Sequence, residues 1–315
     1  MTLPEVLETA STRGPSVVTL GTFDGVHRGH QHLIGQLARE ARSRHETAVV
    51  LTFYPRPAEV LRPESAPPYL CSIEQRCAWL REAGAEHVVV IPFDLALSRM
   101  GAEEFCSHLV AGLGMRRLVG GPDLALGQGR AGTPDVLREI GGRLGFDLSI
   151  VPAFEVEGEV VHTRVIRKAL EEADLDRAGR LLGRRFSVDG EVVHGEGRGR
   201  TIGIPTANVA TSPKLVLPAN GVYAVEVEVA GQRYAGAANL GTRPTFSGQT
   251  RSLEIHLLDF SGDVYGQACR VDFVARLRAE QRFPSIAELV EQIHRDVAAA
   301  RELLRPGGIS KPQSG

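Results

Sequence analysis

Two imidazoles three positions apart, His27 and His30, lie in the run GTFDGVHRGH (residues 21–30), directly after the apolar stretch SVVTL. A pair of imidazoles can donate hydrogen bonds to phosphate oxygens as charge builds in a transition state, with no covalent intermediate. Gly21 and Gly25 allow the backbone to approach an anion. Taken alone, His-x-x-His is better explained by a helix cap beside a solvent-facing side chain. Zinc is the weaker reading, because no acid or third ligand stands at a recognisable spacing.

A second group with chemical potential lies far along the chain. GEGRGRTIGIPTANV (195–209) combines glycines with two arginines, and by itself GRGR would pass for a solvated basic turn. The residues after it carry more information. Thr206 and Asn208 offer neutral oxygens two residues apart, on one side of an extended segment, and hard oxygens beside substrate phosphates suit Mg²⁺. LEIHLLDF supplies Glu254 on a strand, where a carboxylate could accept the proton of an attacking alcohol. His256 shares its face by period and is the weaker base.

The elements that must carry these residues are legible in outline. SVVTL, TAVVLTF, HVVVI, RLVGG and LSIV are continuous apolar runs separated by amphipathic stretches such as HQHLIGQLAREARSR and IEQRCAWLREAG. Strands covered on both faces have this pattern, so the first half is expected to be an α/β domain with a doubly wound parallel sheet. Ligands on such sheets bind beyond the carboxyl ends of strands, where GTFDGVHRGH falls, with a helix expected from about His30.

RKALEEADLDRAGRLLGR (167–184) is rich in helix formers and reads as one connector helix over 167–183. Beyond it, FSVDGEVVHG, GVYAVEVEVAGQRYAGAANLG, SLEIHLLDF and QACRVDFVARL are β-rich runs divided by Gly, Asn, Asp and Pro, as an antiparallel barrel requires. Near the end, Ser285 and Glu288 stand in capping-box spacing. Ile286, Leu289, Ile293 and Val297 then form an apolar helical stripe expected to pack on the barrel. The expected domains are 1–183, 184–305 and a disordered tail at 306–315.

Composition narrows the partners. A formal net charge of -2 supplies no field for nucleic acid, and 5% aromatic residues offer few stacking platforms. Cys71, Cys77, Cys106 and Cys269 show neither a CxxC pair nor metal-like spacing, and are read as thiols in a reducing compartment. MTLPEVLETASTRG lacks the form of a signal peptide, and no run approaches the ~18 apolar residues of a membrane span. The expected location is cytoplasmic, without membrane or nucleic-acid partners.

GTFDGVHRGHQHL resembles the H-x-G-H signature of the nucleotidylyltransferase superfamily, in particular the adenylyltransferase half of bacterial bifunctional riboflavin kinase/FAD synthetases. LTFYPRP, EQRCAWLREAGAEHVVVIPFD, EEF and GGPDLALGQGRAGTPDVLREIG follow that family's order. The resemblance implies that His27 and His30 steady ATP phosphates and that Gly21, Phe23, Asp24, Gly25 and Gly29 form the phosphate loop. It also implies Asp123 in the nucleotide and flavin cleft, and Thr163, Arg164 and Arg167 on phosphates. The chain departs from the family where Ser-Ser-Thr becomes His162, Thr163 and Arg164, where a histidine becomes Arg56, and where two phenylalanines become Leu124 and Leu126.

The second half is similar to the riboflavin kinase family through RGRxxGxPTAN, LPxxGVYAV, NLGTRPTF, EIHLLDFSGDVYG and VDFVARLRAEQRF. This implies a six-stranded, Greek-key-like β-barrel with Gly199, Arg200 and Gly203 near nucleotide phosphates, Thr206 and Asn208 on Mg²⁺, and Glu254 as base. Asn239 and Arg243 are implied in the flavin and nucleotide cleft. The expected function is phosphorylation of riboflavin to FMN by ATP, then adenylylation of FMN to FAD with release of pyrophosphate. Two alternatives stand beside it: a riboflavin kinase with an impaired adenylyltransferase half, and a flavin- or nucleotide-binding regulator without turnover.

Overall fold

The computed structural model describes residues 2–10, 14–195, 199, 203–245 and 248–305, with backbone only at 243–245 and 248–250. The chain divides into two compact units, Met1–Pro68 with Ile73–His162, and Tyr69–Ser72 with Thr163–Gly315.

The first unit is a parallel sheet of β1 (Ser16–Gly21), β2 (Thr47–Phe53), β3 (His87–Ile91), β4 (Met115–Gly120) and β5 (Asp147–Ile150), in the order β3-β2-β1-β4-β5. Its strands are the five apolar runs. Period-2 alternation sends Val18, Val49, Leu51 and Leu118 to one face, where they share a core with α1 (Leu3–Thr9), α5 (Ala102–Leu113) and α6 (Pro134–Leu144). Against the other face lies α2 (Arg28–Arg44), whose Ile34, Leu37, Ala38 and Ala41 are buried. Burying Ile34 and Leu37 contributes roughly 1.5–3 kcal/mol each in transfer free energy. Between β2 and β3 run the short α3 (Pro57–Leu61) and α4 (Ile73–Glu82), and a small hairpin of β6 (Glu155–Val156) and β7 (Glu159–Val160) comes after β5. Strand order reverses between β1 and β4, so the loop leaving β1 opens at the topological switch point of the sheet.

The connector differs from the expected single helix. It is two helices, α7 (Thr163–Glu171) and α8 (Leu175–Leu182). Ala173 adopts φ 57°, and the Asp174 carboxylate accepts the Arg177 amide at 2.9 Å, capping a new helix. Helix-forming composition hid this break, because an aspartate inside a helical run competes as an N-cap.

The second unit is a closed barrel of β8 (Ser187–Val193), β9 (Ala207–Thr211), β10 (Gly221–Val229), β11 (Gln232–Thr245), β12 (Gly248–Leu257) and β13 (Ala268–Arg278), in the order β10-β11-β12-β9-β8-β13. The pairs are antiparallel, and β13 closes onto β10. Val209, Val225, Leu240, Leu253, Ile255, Val271 and Phe273 are buried, filling the inward positions as alternation requires. The C-terminal helix, Ile286–Leu303, starts as expected: the Ser285 side chain accepts the Glu288 amide. Its packing is a correction to the four-residue stripe. Val297, Ala300, Leu303 and Leu304 meet Ala224 and Ala237 of the barrel, while Ile286 remains 68% exposed. The expected tail at 306–315 lies outside the described residues.

Candidate active sites

In the first unit, β1 ends at Gly21 and α2 begins at Arg28, two residues before the expected start. His27 is the N-cap of α2, its Nδ1 accepting the His30 amide at 3.3 Å. One histidine is therefore a cap, as the simpler reading held, yet the second does not turn to solvent. The His27 and His30 rings stack at 3.6 Å, and Phe23 meets His30 edge-on at 5.2 Å. Gly29 explains its own place in the motif: a Cβ there would stand 3.2 Å from the His27 ring atoms Cε1 and Nδ1.

The loop before the helix is held in costly backbone. Phe23 at φ 44° and the β-branched Val26 at φ 36° lie in the left-handed region, each nearly or fully buried. Such residues cost on the order of 1–3 kcal/mol each and persist only where their surroundings over-determine them. The surroundings here are specific. The Gln31 side chain donates to the Val26 carbonyl at 2.8 Å, and Thr52 Oγ1 donates to the Thr22 carbonyl at 3.2 Å.

Asp24 is buried within an ion cluster. Arg56 NH1 approaches its Oδ2 at 3.0 Å and Arg76 NH2 its Oδ1 at 4.0 Å, with all three side chains at most 7% exposed. Arg56 also donates to the Pro67 carbonyl, and Arg76 to the Phe53 carbonyl at 3.1 Å. A carboxylate expected to shape the loop thus anchors it to the end of β2 and to α4. Arg76 was not recognisable in the sequence, since it resembles any arginine of an amphipathic helix.

Asp123 sits exposed after β4, its carbonyl accepting Arg130 NH2 at 2.9 Å. The neighbouring departures have a packing role. Leu126 belongs to the core and Leu124 packs against it, so neither leucine is an exposed face. Thr163, Arg164 and Arg167 fall together on the first two turns of α7, with Arg164 exposed.

In the second unit one row of residues crosses the barrel wall. Asn239 of β11 pairs with Glu254 of β12, which pairs with Asn208 of β9. Directly opposed residues project from the same face, and since the adjacent Leu240, Leu253 and Val209 are buried, this row lies on the outer surface of the barrel. A cavity of about 780 Å³ opens over it, lined among others by Gly199, Thr206, Asn239, Glu254, Phe283 and Leu289. A second cavity of about 300 Å³ is lined by Val192, Pro205, Thr206, Phe260, Asp263 and Tyr265. Thr206 lines both. His256 turns its Nδ1 to the Pro205 carbonyl at 2.8 Å, bracing this segment, and lines the larger cavity beside Glu254.

Two glycines leave room for these polar groups. A Cβ at Gly195 would stand 2.0 Å from Asn208 Nδ2, and one at Gly199 would stand 3.2 Å from Thr206 Oγ1. Gly203 takes φ 78°. Arg200 lies outside the described residues, and Arg243 is placed on β11 by its backbone only.

A riboflavin kinase family profile matches residues 182–304, and an FAD synthetase profile matches residues 9–165. The bifunctional riboflavin kinase/FMN adenylyltransferase of Escherichia coli strain K12 is 41% identical over 94% of this chain and 94% of its own length. The chain belongs to the bifunctional riboflavin kinase/FMN adenylyltransferase family. A Bacillus subtilis member is 36% identical over 89% of this chain and 90% of its own. A solved structure from Streptococcus pneumoniae, described as a macrolide-efflux protein, superposes with a TM-score of 0.86 at 32% identity, covering 94% of this chain and 96% of that one. Among the described residues, no helix here is long and apolar enough to cross a membrane. As a member of this family the chain is a two-domain transferase with ATP as substrate, and its α/β and barrel halves agree with the expected fold.

Proposed function

We propose that the barrel half transfers the γ-phosphoryl group of ATP to riboflavin, and that Glu254 is its general base. The observation that carries this reading is Thr206, which is shared by the two cavities and stands near the Asn208–Glu254 pair. The larger cavity takes the flavin and the smaller the nucleotide, so the groups that react meet at the wall between them. The ribityl 5′-oxygen attacks the γ-phosphorus, its proton passes to Glu254, and the bond to the β–γ bridging oxygen breaks to leave ADP. Gly199, Arg200 and Gly203 hold the nucleotide phosphates, while Asn239 and Arg243 border the flavin cleft.

The hydroxyl of Thr206 and the amide oxygen of Asn208 are hard donors in a space that a Cβ at Gly195 or Gly199 would fill, and they suit Mg²⁺. When bound with the nucleotide, Mg²⁺ neutralises phosphate charge.

The α/β half adenylylates FMN. A phosphate oxygen of FMN attacks the α-phosphorus of a second ATP, and the bond to the α–β bridging oxygen breaks to release pyrophosphate. His27 and His30 stabilise the charge on the transferring group, the loop of Gly21, Phe23, Asp24, Gly25 and Gly29 cradles the phosphates, and Asp123 borders the cleft; Thr163, Arg164 and Arg167 at the start of α7 are taken as phosphate contacts on the family resemblance alone. The halves are assigned to 1–183 and 184–305, and the location to the cytoplasm. One assay tests the whole: riboflavin, ATP and Mg²⁺, with flavin products separated over time. FMN should rise first and FAD follow; FMN without FAD would leave the kinase alone, and neither would remove the reading.

A further inference from the structure

The stripe of the C-terminal helix carries an acid. Asp296 stands seven residues after Leu289 and three after Ile293, on the face that looks into the larger cavity, and it is only 5% exposed. A carboxylate buried there requires a partner. It has Arg278, the last residue of β13, whose Nε lies 3.0 Å from each carboxylate oxygen and whose NH2 lies 2.8 Å from Oδ2. Gln292 adds a donor to Oδ1 at 2.9 Å.

The same guanidinium has a second contact. Its Cζ lies over the ring of Phe283 at 5.6 Å, and NH1 donates to the Ala279 carbonyl at 3.1 Å. One planar group thus ties together the strand end, the aromatic of the 279–285 loop, and the helix. All three line the cavity. The loop is also anchored through Glu280, whose Oε2 accepts from the Asn220 side-chain Nδ2 at 2.9 Å. In contrast, the apolar residues of the helix's first turns are poorly buried: Ile286 is 68% exposed, and Leu289 and Ile293 are half-buried. They form an apolar wall that opens onto the cavity.

We propose that the Arg278–Asp296 pair is a positioning latch for the flavin. It fixes Phe283 and the Ile286, Leu289, Ile293 face as the outer wall of the cavity, so that the isoalloxazine enters a slot already formed between that wall and the barrel. Arg278 and Asp296 act through the wall and take no part in phosphoryl transfer. This rests on the assignment of the larger cavity to riboflavin.

The test uses the full chain, with riboflavin binding read by quenching of flavin fluorescence alongside steady-state kinase kinetics. Asp296→Asn should raise the riboflavin Kd and KM about tenfold, leaving kcat and the ATP KM within about twofold. Replacing the pair by Arg278→Met with Asp296→Leu separates stability from positioning, since an apolar pair often substitutes for a buried ion pair without loss of stability. That variant should melt at or above the wild-type temperature, adenylylate supplied FMN normally, and still bind riboflavin about tenfold more weakly. Leu289→Arg places a charge in the wall and should abolish riboflavin binding. If Leu289→Arg binds riboflavin like wild type, the cavity assignment falls and the latch with it. If Leu289→Arg loses binding but both latch variants keep wild-type affinity, or lose kcat in place of affinity, the latch alone is overturned.

Discussion

Glu254 stands directly opposite Asn208 on the neighbouring strand, with Asn239 directly opposite Glu254 on the other side. A carboxylate between two amides, on an outer wall beside a large cavity, is held by strand register, which no side-chain torsion can undo. Replacing the carboxylate by an isosteric amide therefore changes chemistry and not architecture. Glu254→Gln should lower FMN formation by about 10²–10⁴-fold while supplied FMN is still converted to FAD. Equal loss in both conversions would argue against the assignment.

The stacked pair in the other half gives the reciprocal expectation. His30→Ala removes one imidazole and the edge contact with Phe23. FAD formation from FMN should fall about 10²–10³-fold, with FMN formation from riboflavin intact. An unchanged rate of pyrophosphate release would sink the role of this histidine.

Gly29→Ala separates stability from activity more sharply. Alanine is the better helix former, which offsets the weakening of the His27 cap as its ring moves, so the melting temperature should stay near that of the wild type. The added methyl, however, would stand 3.2 Å from the His27 ring and push it from its partner. Adenylyl transfer should then drop by about 10- to 100-fold in a protein of near-wild-type stability. Full activity in that variant would show that the stacking distance has no bearing on the reaction.

Asp24→Ala would remove the carboxylate between two guanidiniums, Arg56 and Arg76, in a site almost closed to water. Removing one partner of a buried ion pair costs about 3–5 kcal/mol, and chemical denaturation should register a loss of that size. A change below about 1 kcal/mol would mean that water reaches the cluster.

Burial pushes the Cys106 thiol up to about 12 and the Cys269 thiol up to about 11. A raised thiol pKa favours the neutral form, so at pH 8 both groups stay protonated and unreactive. Iodoacetamide should leave both unlabelled in native protein at pH 8 and label both after denaturation, as intact mass would record. Prompt native labelling of Cys106 would contradict the burial.

Local patterns were enough to locate most of the strands and helices. β2 and β3 coincide with TAVVLTF and HVVVI because a strand covered on both faces is written as a continuous apolar run. The Ser285 cap is equally local, and so is the neighbourhood of Thr206, just before β9, and Asn208 within it, two residues apart in extended chain. The connector failed as a single helix because Asp174 can cap one helix as readily as it can sit within another, and composition does not say which.

Contacts between distant segments account for what local patterns could not show. Register between β9, β12 and β11 joined Asn208, Glu254 and Asn239, residues widely separated in number that no local pattern aligns. It made Leu124 and Leu126 part of a core, and it turned Arg56 and Arg76 inward onto Asp24. Neither the acid at 296 nor its partner Arg278 stood out in the apolar stripe of the C-terminal helix. A buried charge is specified by what neutralises it, and the neutralising group comes from another element of the fold.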